Sequence, residues 1–177
     1  MTDFNRHRPG QRTGIGMLTA SLVLGMLMLT WFFDGMLDRQ TNPNSRPTTQ
    51  MLADGVLELQ LQRNRQGHYV ISGLINGVPA TLLLDTGATD VVIPERLAER
   101  ANLSPGTAIQ AMTANGMVTV YNTRIPELQM GDVRLYDVRA SINPAMHGSM
   151  VLLGMSALRH IEFSQRGDTL TLRFLPD

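Results

Sequence analysis

The feature that constrains this chain most is an uncharged apolar run of 19 residues, Ile15 to Phe33, which reads IGMLTASLVLGMLMLTWFF. A helix needs about 20 apolar residues to cross the hydrocarbon core of a bilayer. Aromatic side chains favour the headgroup level, and Trp31 would lie there at one end of such a helix. The run therefore predicts a transmembrane helix over residues 15–33.

The charges that flank this run differ in sign. Arginines precede it and aspartates follow it, at Arg6, Arg8, Arg12, Asp34 and Asp38. The positive-inside rule then places residues 1–14 in the cytoplasm and the rest of the chain across the membrane. A cleaved signal peptide is the alternative, but its apolar region is usually about 7–15 residues and ends in an A-x-A-like site. Phe33 is followed by no such site, so we predict an uncleaved, single-pass signal anchor.

The composition argues against several kinds of function. The formal net charge is zero, which argues against nucleic acid as the main partner. The chain has no cysteines, which excludes disulfides, thiolate chemistry and Cys-ligated metal sites. Its four histidines are scattered without metal-ligand spacing. We therefore predict neither a metal ion nor a cofactor.

The rest of the chain changes character near residue 52. Residues 34–51 contain prolines and an Asn/Ser/Thr cluster, which predicts a flexible linker. Residues 52–177 consist of short apolar runs separated by turn signals, such as Asn76-Gly77, and of two short helices after Pro94 and from Met155. We predict a mainly β fold, with the strands closed or sandwiched around one core and one or two short helices.

An apolar strand leads directly into a carboxylate in the segment Leu82-Leu83-Leu84-Asp85-Thr86-Gly87-Ala88. A buried carboxylate is costly unless it is paired or hydrogen-bonded. Gly87 allows a sharp backbone turn, and the Thr86 hydroxyl can hold a neighbouring chain. Asp and Gly are also ordinary turn residues, so D-T-G alone is a weak signal.

The longer segment LLLDTGATDVVI resembles the active-site segment of retropepsin-like aspartic proteases. Residues 107–125 resemble the flap hairpin of that family, Leu152-Leu153-Gly154 with the following helix resembles its later glycine motif, and residues 161–174 resemble its closing hairpin. The resemblance covers residues 52–175 and implies a closed β domain. D-T-G-A-T and L-L-G-M-S are most similar to bacterial membrane-anchored members, which implies a bacterial inner membrane with the protease domain in the periplasm.

The resemblance implies that Asp85 is the catalytic carboxylate and that Thr86 and Gly87 complete the catalytic triplet. In this family two carboxylates share one proton, so that one acts as general base and the other polarises the scissile carbonyl. The chain has one D-T-G. The resemblance therefore implies a homodimer with Asp85 of each subunit at the two-fold axis.

The flap is expected to hold a protein or peptide substrate in extended form. Predicted substrate contacts are Ala88, Asp90, Met112, Asn115 and Met117. For the flap residues the alternative is an ordinary hairpin tip, and for Asp90 it is a turn cap. Many retroviral members carry an acidic residue after D-T-G-A that pairs with an Arg after the later glycine, but here Thr89 and Met155-Ser156 occupy those places.

These features predict an aspartic endopeptidase that acts on periplasmic or membrane-protein segments. Two other functions remain open. A catalytically inactive, dimeric binding module tethered to the membrane could share the fold, although it has no physical reason to keep a costly pair of aspartates. A structural membrane anchor for a partner would explain the helix and the linker but not Asp85.

Overall fold

The computed structural model describes residues 9–53, 55–113 and 116–175. The chain divides into two compact units, residues 1–38 and 39–177. The first helix, α1, covers Pro9–Thr41, and its segment Gly14–Phe33 is long and apolar enough to cross a membrane. No side chain of that segment is buried. A single apolar helix near the N-terminus is consistent with a membrane anchor, and a signal sequence would share these properties.

The second unit is mainly β-structure, as the sequence predicted. Its described residues form eleven strands and two short helices. In chain order these elements are β1 Thr49–Met51, β2 Leu57–Gln62, β3 Val70–Ile75, β4 Val78–Leu84, β5 Val91–Pro94, α2 Glu95–Arg100, β6 Ala108–Thr113, β7 Gly116–Met130, β8 Val133–Asn143, β9 Met150–Leu153, α3 Met155–Leu158, β10 Glu162–Arg166 and β11 Thr169–Phe174.

The strands form a closed sheet and a smaller open one. The larger sheet has the order β3-β4-β9-β5-β8-β7-β6, and six of its strands close into a ring because β3 also pairs with β7. The hairpin of β6 and β7 extends from this ring. The smaller sheet has the order β1-β2-β11-β10. One buried cluster, with fully buried members such as Leu59, Leu82 and Ile125, joins the two sheets, which confirms the predicted closed β domain.

Local signals placed one tight turn and one helix correctly. Asn76 and Gly77 both have positive φ, 48° and 78°, as the tight turn between β3 and β4 requires. Pro94 precedes the first residue of α2 with extended backbone, and Ala101 caps the other end of that helix. Proline suits the start of a helix because it lacks the N–H that would be unpaired there.

The predicted linker over residues 34–51 is the main difference from the sequence-based expectation. Helix α1 continues to Thr41, and β1 pairs with β2. Asn44 is buried, and its Nδ2 donates to the carbonyls of Gln62 and Val70 at 3.0 and 2.7 Å. Residues 42–51 are therefore attached to the folded unit, where the sequence predicted a flexible linker. Their polar side chains, typical of a loop, satisfy backbone groups of distant strands.

We expect Asn44→Ala to lower the free energy of unfolding by about 1–3 kcal/mol, because buried backbone groups of β2 and β3 would lose their partners. The affected groups include the Gln62 N–H, which donates to Asn44 Oδ1 at 2.7 Å. Thermal unfolding of the full chain would measure the loss. Ser45→Ala, a change at the exposed neighbouring residue, is the control. Equal stability of the two variants would contradict the role assigned to Asn44.

Glu58 is a nearly buried carboxylate in β2. Gln60 Nε2 donates to its Oε1 at 3.0 Å, and Arg173 Nε of β11 donates to its Oε2 at 2.9 Å. The Gln60 hydrogen bond, together with the Arg173 hydrogen bond and charge, lowers the pKa of Glu58 even though burial opposes this shift. The ionised form of Glu58 is therefore more favourable in the folded state than in the unfolded chain.

Because the folded pKa is lowered, the stabilisation by Glu58 is present above the ordinary glutamate pKa of 4.5 and is lost as the pH falls through the folded value. Unfolding by denaturant, repeated at several acidic pH values, should show a steeper loss of stability in the wild type than in Glu58→Gln. Glu162→Gln, at an exposed position of β10, should keep the wild-type slope. Parallel curves for all three proteins would refute this account.

Candidate active site

The loop of residues 85–90 has to pass over the end of a strand. It connects β4 to β5, but β9 lies between these two strands and pairs with both. Gly154 follows β9 at the crossing, where an added Cβ would lie only 2.7 Å from the Ala88 carbonyl oxygen and would also collide with the backbone of Asp90. Only glycine lets two backbones approach this closely.

Backbone hydrogen bonds attach this loop to the segment around Gly154. The Asp85 N–H donates to the Leu153 carbonyl at 3.1 Å, and the Met155 N–H donates to the Ala88 carbonyl at 2.8 Å. The two bonds hold the loop at both sides of its turn. The position of Asp85 is therefore set by β9 and α3 as well as by its own strand.

Ser156 adds a side-chain connection in the same region. Its buried hydroxyl accepts a hydrogen bond from the Val91 N–H at 3.0 Å and donates one to the Arg139 carbonyl at 2.7 Å. Its own N–H donates to the Thr89 carbonyl at 2.9 Å. This one residue thus joins the loop, β5 and β8. The sequence does not reveal this role, because a serine after Gly-Met carries no local sign of its distant partners.

Asp85, Thr86 and Gly87 lie together on the outer side of the loop, where Asp85 is partly exposed and the other two are exposed. The Gly87 N–H donates to Asp85 Oδ1 at 2.9 Å. Within the described residues no other hydrogen bond reaches this carboxylate. A carboxylate that ends a core strand and still reaches the surface is available to substrate or to another subunit.

The β6–β7 hairpin lies where the sequence predicted a flap. Met112 and Met117 are directly opposite each other next to its tip and are 81% and 62% exposed. Asn115, the third predicted contact, lies outside the described residues. Ile109 and Val118 point to the other face of the hairpin, because side chains alternate along a strand. Ile109 lines a cavity that also contains Asp90, which was not expected from the sequence.

Asp90 forms an ion pair with an arginine of β8. Arg139 Nε donates to Asp90 Oδ1 at 2.7 Å, and the Asp90 side chain is only 18% exposed. A carboxylate and an arginine thus meet beside the loop, although neither Thr89 nor Met155 can form the pair seen in many retroviral members. Buried Val138 and Ala140 show that Arg139 points away from the core, but sequence alone gives no sign that it faces this loop.

The family described as "gag-polyprotein putative aspartyl protease" matches residues 71–160 of the 177. The chain belongs to this retropepsin-like aspartic protease family. The matched part contains the whole D-T-G loop, the β6–β7 hairpin, Gly154 and α3.

Individual proteins are also similar to this chain. An uncharacterized protein from the cobV 5′ region of Sinorhizobium is 30% identical over 125 residues, which cover 68% of this chain and 54% of that protein. The chain therefore spans about half the length of this relative. The crystal structure of a retropepsin-like aspartic protease from Rickettsia conorii aligns with a TM-score of 0.56 at 22% identity, over 73% of this chain and 94% of that one. This likeness shows a shared fold.

A viral structure aligns over a smaller part. EIAV protease complexed with the inhibitor HBY-793 covers 54% of this chain and 89% of its own, at 22% identity and a TM-score of 0.43. A score this low does not by itself establish a common fold.

We expect Ser156→Ala to destabilise the chain by about 1–3 kcal/mol, since the Val91 N–H and the Arg139 carbonyl would lose a buried partner. Thermal unfolding of the full chain measures this effect. Ser149→Ala, at an exposed position before β9, is the matched control and should have little effect. If both variants unfold at the same temperature as the wild type, Ser156 does not hold the loop in the way described.

Proposed function

We propose that this protein is an aspartic endopeptidase whose catalytic dyad consists of two Asp85 carboxylates, one from each subunit of a homodimer. The observation that carries this proposal is the D-T-G loop itself. In a chain of this family, Asp85 directly follows a core strand, stays accessible, and lies on a loop attached to β9 and α3. Thr86 and Gly87 complete the catalytic triplet.

The chemistry follows from bringing two carboxylates together. Like charges about 3 Å apart cannot both ionise, so the pair shares one proton and titrates as a unit. The ionised carboxylate removes a proton from a water molecule, which attacks the scissile carbonyl. The protonated carboxylate donates to the carbonyl oxygen and stabilises its developing charge. The proton taken from water then passes to the amine nitrogen as the C–N bond breaks, and a hydroxyl of the tetrahedral intermediate returns a proton to the other carboxylate.

An exposed edge strand supports the dimer. All five residues of β10 are exposed at one edge of the smaller sheet, including Phe163 at 48%. The edge of a sheet offers unpaired N–H and C=O groups to another strand. Two β10 strands related by a two-fold axis would pair antiparallel, so that the same surface serves both subunits.

The flap and the loop would enclose an extended peptide. We assign substrate contacts to Ala88 and Asp90 on the loop side and to Met112, Asn115 and Met117 at the flap tip. Helix α1 would anchor the enzyme in a bacterial inner membrane, with its N-terminus in the cytoplasm and the protease unit in the periplasm. Segments of periplasmic or membrane proteins would then be its substrates. Confinement to a membrane raises the effective concentration of the second subunit.

We expect Asp85→Asn to abolish cleavage of a peptide library by the full-length protein, because the amide can neither act as a base nor share the proton. Asp132→Asn, at an exposed turn, is the matched control and should retain activity. The measurement is turnover between about pH 3 and pH 7. Equal turnover by the wild type and Asp85→Asn would refute the assignment, and binding without any turnover would favour an inactive binding module.

The shared dyad makes a further quantitative prediction. If wild-type and Asp85→Asn subunits exchange freely, a one-to-one mixture should retain only about a quarter of the activity, since only wild-type pairs hold two aspartates. Mixtures with Asp132→Asn subunits should retain full activity. A decrease to about one half with Asp85→Asn would mean that each subunit acts independently.

A further inference from the structure

Two arginines face each other beside the catalytic loop. Arg124 of β7 and Arg139 of β8 are direct partners in the antiparallel register, so their side chains leave the sheet on the same face. Like charges placed directly opposite each other destabilise a strand pair. We call these two residues the arginine pair.

Each member of the arginine pair has one carboxylate partner. Arg139 donates to Asp90, and Arg124 donates through Nη1 to Asp137. These partners reduce the repulsion but leave most donors unused, because a guanidinium has five N–H groups. The two arginine side chains are 62% and 54% exposed. The unused N–H groups are therefore accessible from solvent.

The backbone of β8 is distorted at the point where it holds Arg124. Asp137 has a φ of 51°, a left-handed conformation that is uncommon outside glycine. Asp137 lies opposite Pro126, and neither residue has a partner in the register of β7 and β8. Pro126 lacks the N–H that a regular strand pair would use. Arg124 contacts both the carboxylate and the carbonyl oxygen of Asp137. This double contact holds the guanidinium in place before any ligand arrives.

The arginine pair lies between two concave surfaces. On one side is the cavity of about 830 Å³ that also contains Asp90, Ile109 and Asn122. On the other side is a groove of about 510 Å³ that also contains Arg159. Within the described residues, Arg159 has no carboxylate partner and donates to the neighbouring ring of His160. The surroundings of the arginine pair thus have an excess of positive charge.

We propose that the arginine pair binds a carboxylate side chain of the peptide substrate, so that the enzyme prefers Glu or Asp at one position flanking the scissile bond. This inference rests on the proposed protease function. Asp90 connects the arginine pair directly to the loop of Asp85, and Ile109 connects the cavity to the flap. A peptide held between loop and flap would reach it in extended form.

The chemistry favours a carboxylate over other anions. Guanidinium groups match the planar, two-oxygen geometry of a carboxylate through paired hydrogen bonds. Asp90 and Asp137 already offset the charges of the two arginines. The arginine pair should therefore bind a singly charged carboxylate more readily than a doubly charged phosphate. An amide side chain of the same shape lacks that charge and offers one acceptor oxygen instead of two.

The test uses ten-residue peptide libraries in which one position is fixed as Glu or Gln and the others are randomised. For one choice of the fixed position, the full-length wild type should cleave the Glu library with a kcat/KM about tenfold higher than that for the Gln library. A tenfold ratio corresponds to one charge-assisted contact. Arg124→Gln with Arg139→Gln should bring this ratio close to one, mainly through KM. Added salt should reduce the wild-type preference.

Arg63→Gln is the matched control. Arg63 also pairs with a carboxylate, that of Asp168, and is 43% exposed, but it lines neither of the two concave surfaces, so its loss should leave the ratio unchanged. A wild type without preference, a double variant that keeps the preference, or an equal loss in Arg63→Gln would each overturn the proposal. Thermal unfolding of the double variant shows whether it remains folded, and the wild-type ratio tests the proposal in any case.

A binding measurement separates this inference from the proposed function. Asp85→Asn protein should bind the fluorescent Glu library more tightly than the Gln library, by fluorescence anisotropy, whether or not the wild type cleaves. If no peptide is cleaved but the Glu preference in binding depends on the arginine pair, the protease proposal fails and the carboxylate site stands. Equal binding of both libraries overturns the carboxylate site alone.

Discussion

The crossing of the D-T-G loop over the end of β9 is the contact on which the site depends. Because β9 is inserted between β4 and β5, the chain has to bridge a strand within a few residues. This is feasible only where the underlying residue has no side chain, and Gly154 is that residue. The close approach then allows the amides after Gly154 to bind the loop carbonyls. The Asp85 carboxylate thereby gains a rigid support without being buried itself.

Electrostatics organise the region beside that crossing. The Asp90–Arg139 ion pair connects the loop to β8, and the Arg124–Asp137 pair lies next to it on the same face of the sheet. Exposed ion pairs stabilise a fold only weakly, by about 0–1 kcal/mol each. Their more important effect here is to fix the directions of two guanidinium groups. The specificity proposed for the arginine pair follows from this fixed geometry.

The smaller sheet shows how polar residues contribute to the interior of this fold. Asn44 replaces missing strand partners for backbone groups of β2 and β3. Glu58 is retained near the core because Gln60 and Arg173 donate hydrogen bonds to it and Arg173 offsets its charge. Such groups stabilise the structure only while all their partners are present. The two sheets therefore depend on polar contacts as well as on the apolar cluster between them.

The sequence by itself determined the mainly β class, the tight turn at Asn76-Gly77, the apolar helix and the D-T-G loop with its later glycine. Each of these depends on local periodicity, on residues that permit unusual backbone angles, or on a compact motif. Only the tertiary structure decided that residues 42–51 belong to the folded unit, that Arg139 is the partner of Asp90, and which face of the flap Ile109 occupies. These features join residues far apart in the chain. A sequence pattern records which side chains are available, whereas the hydrogen bonds they form depend on how the strands are brought together.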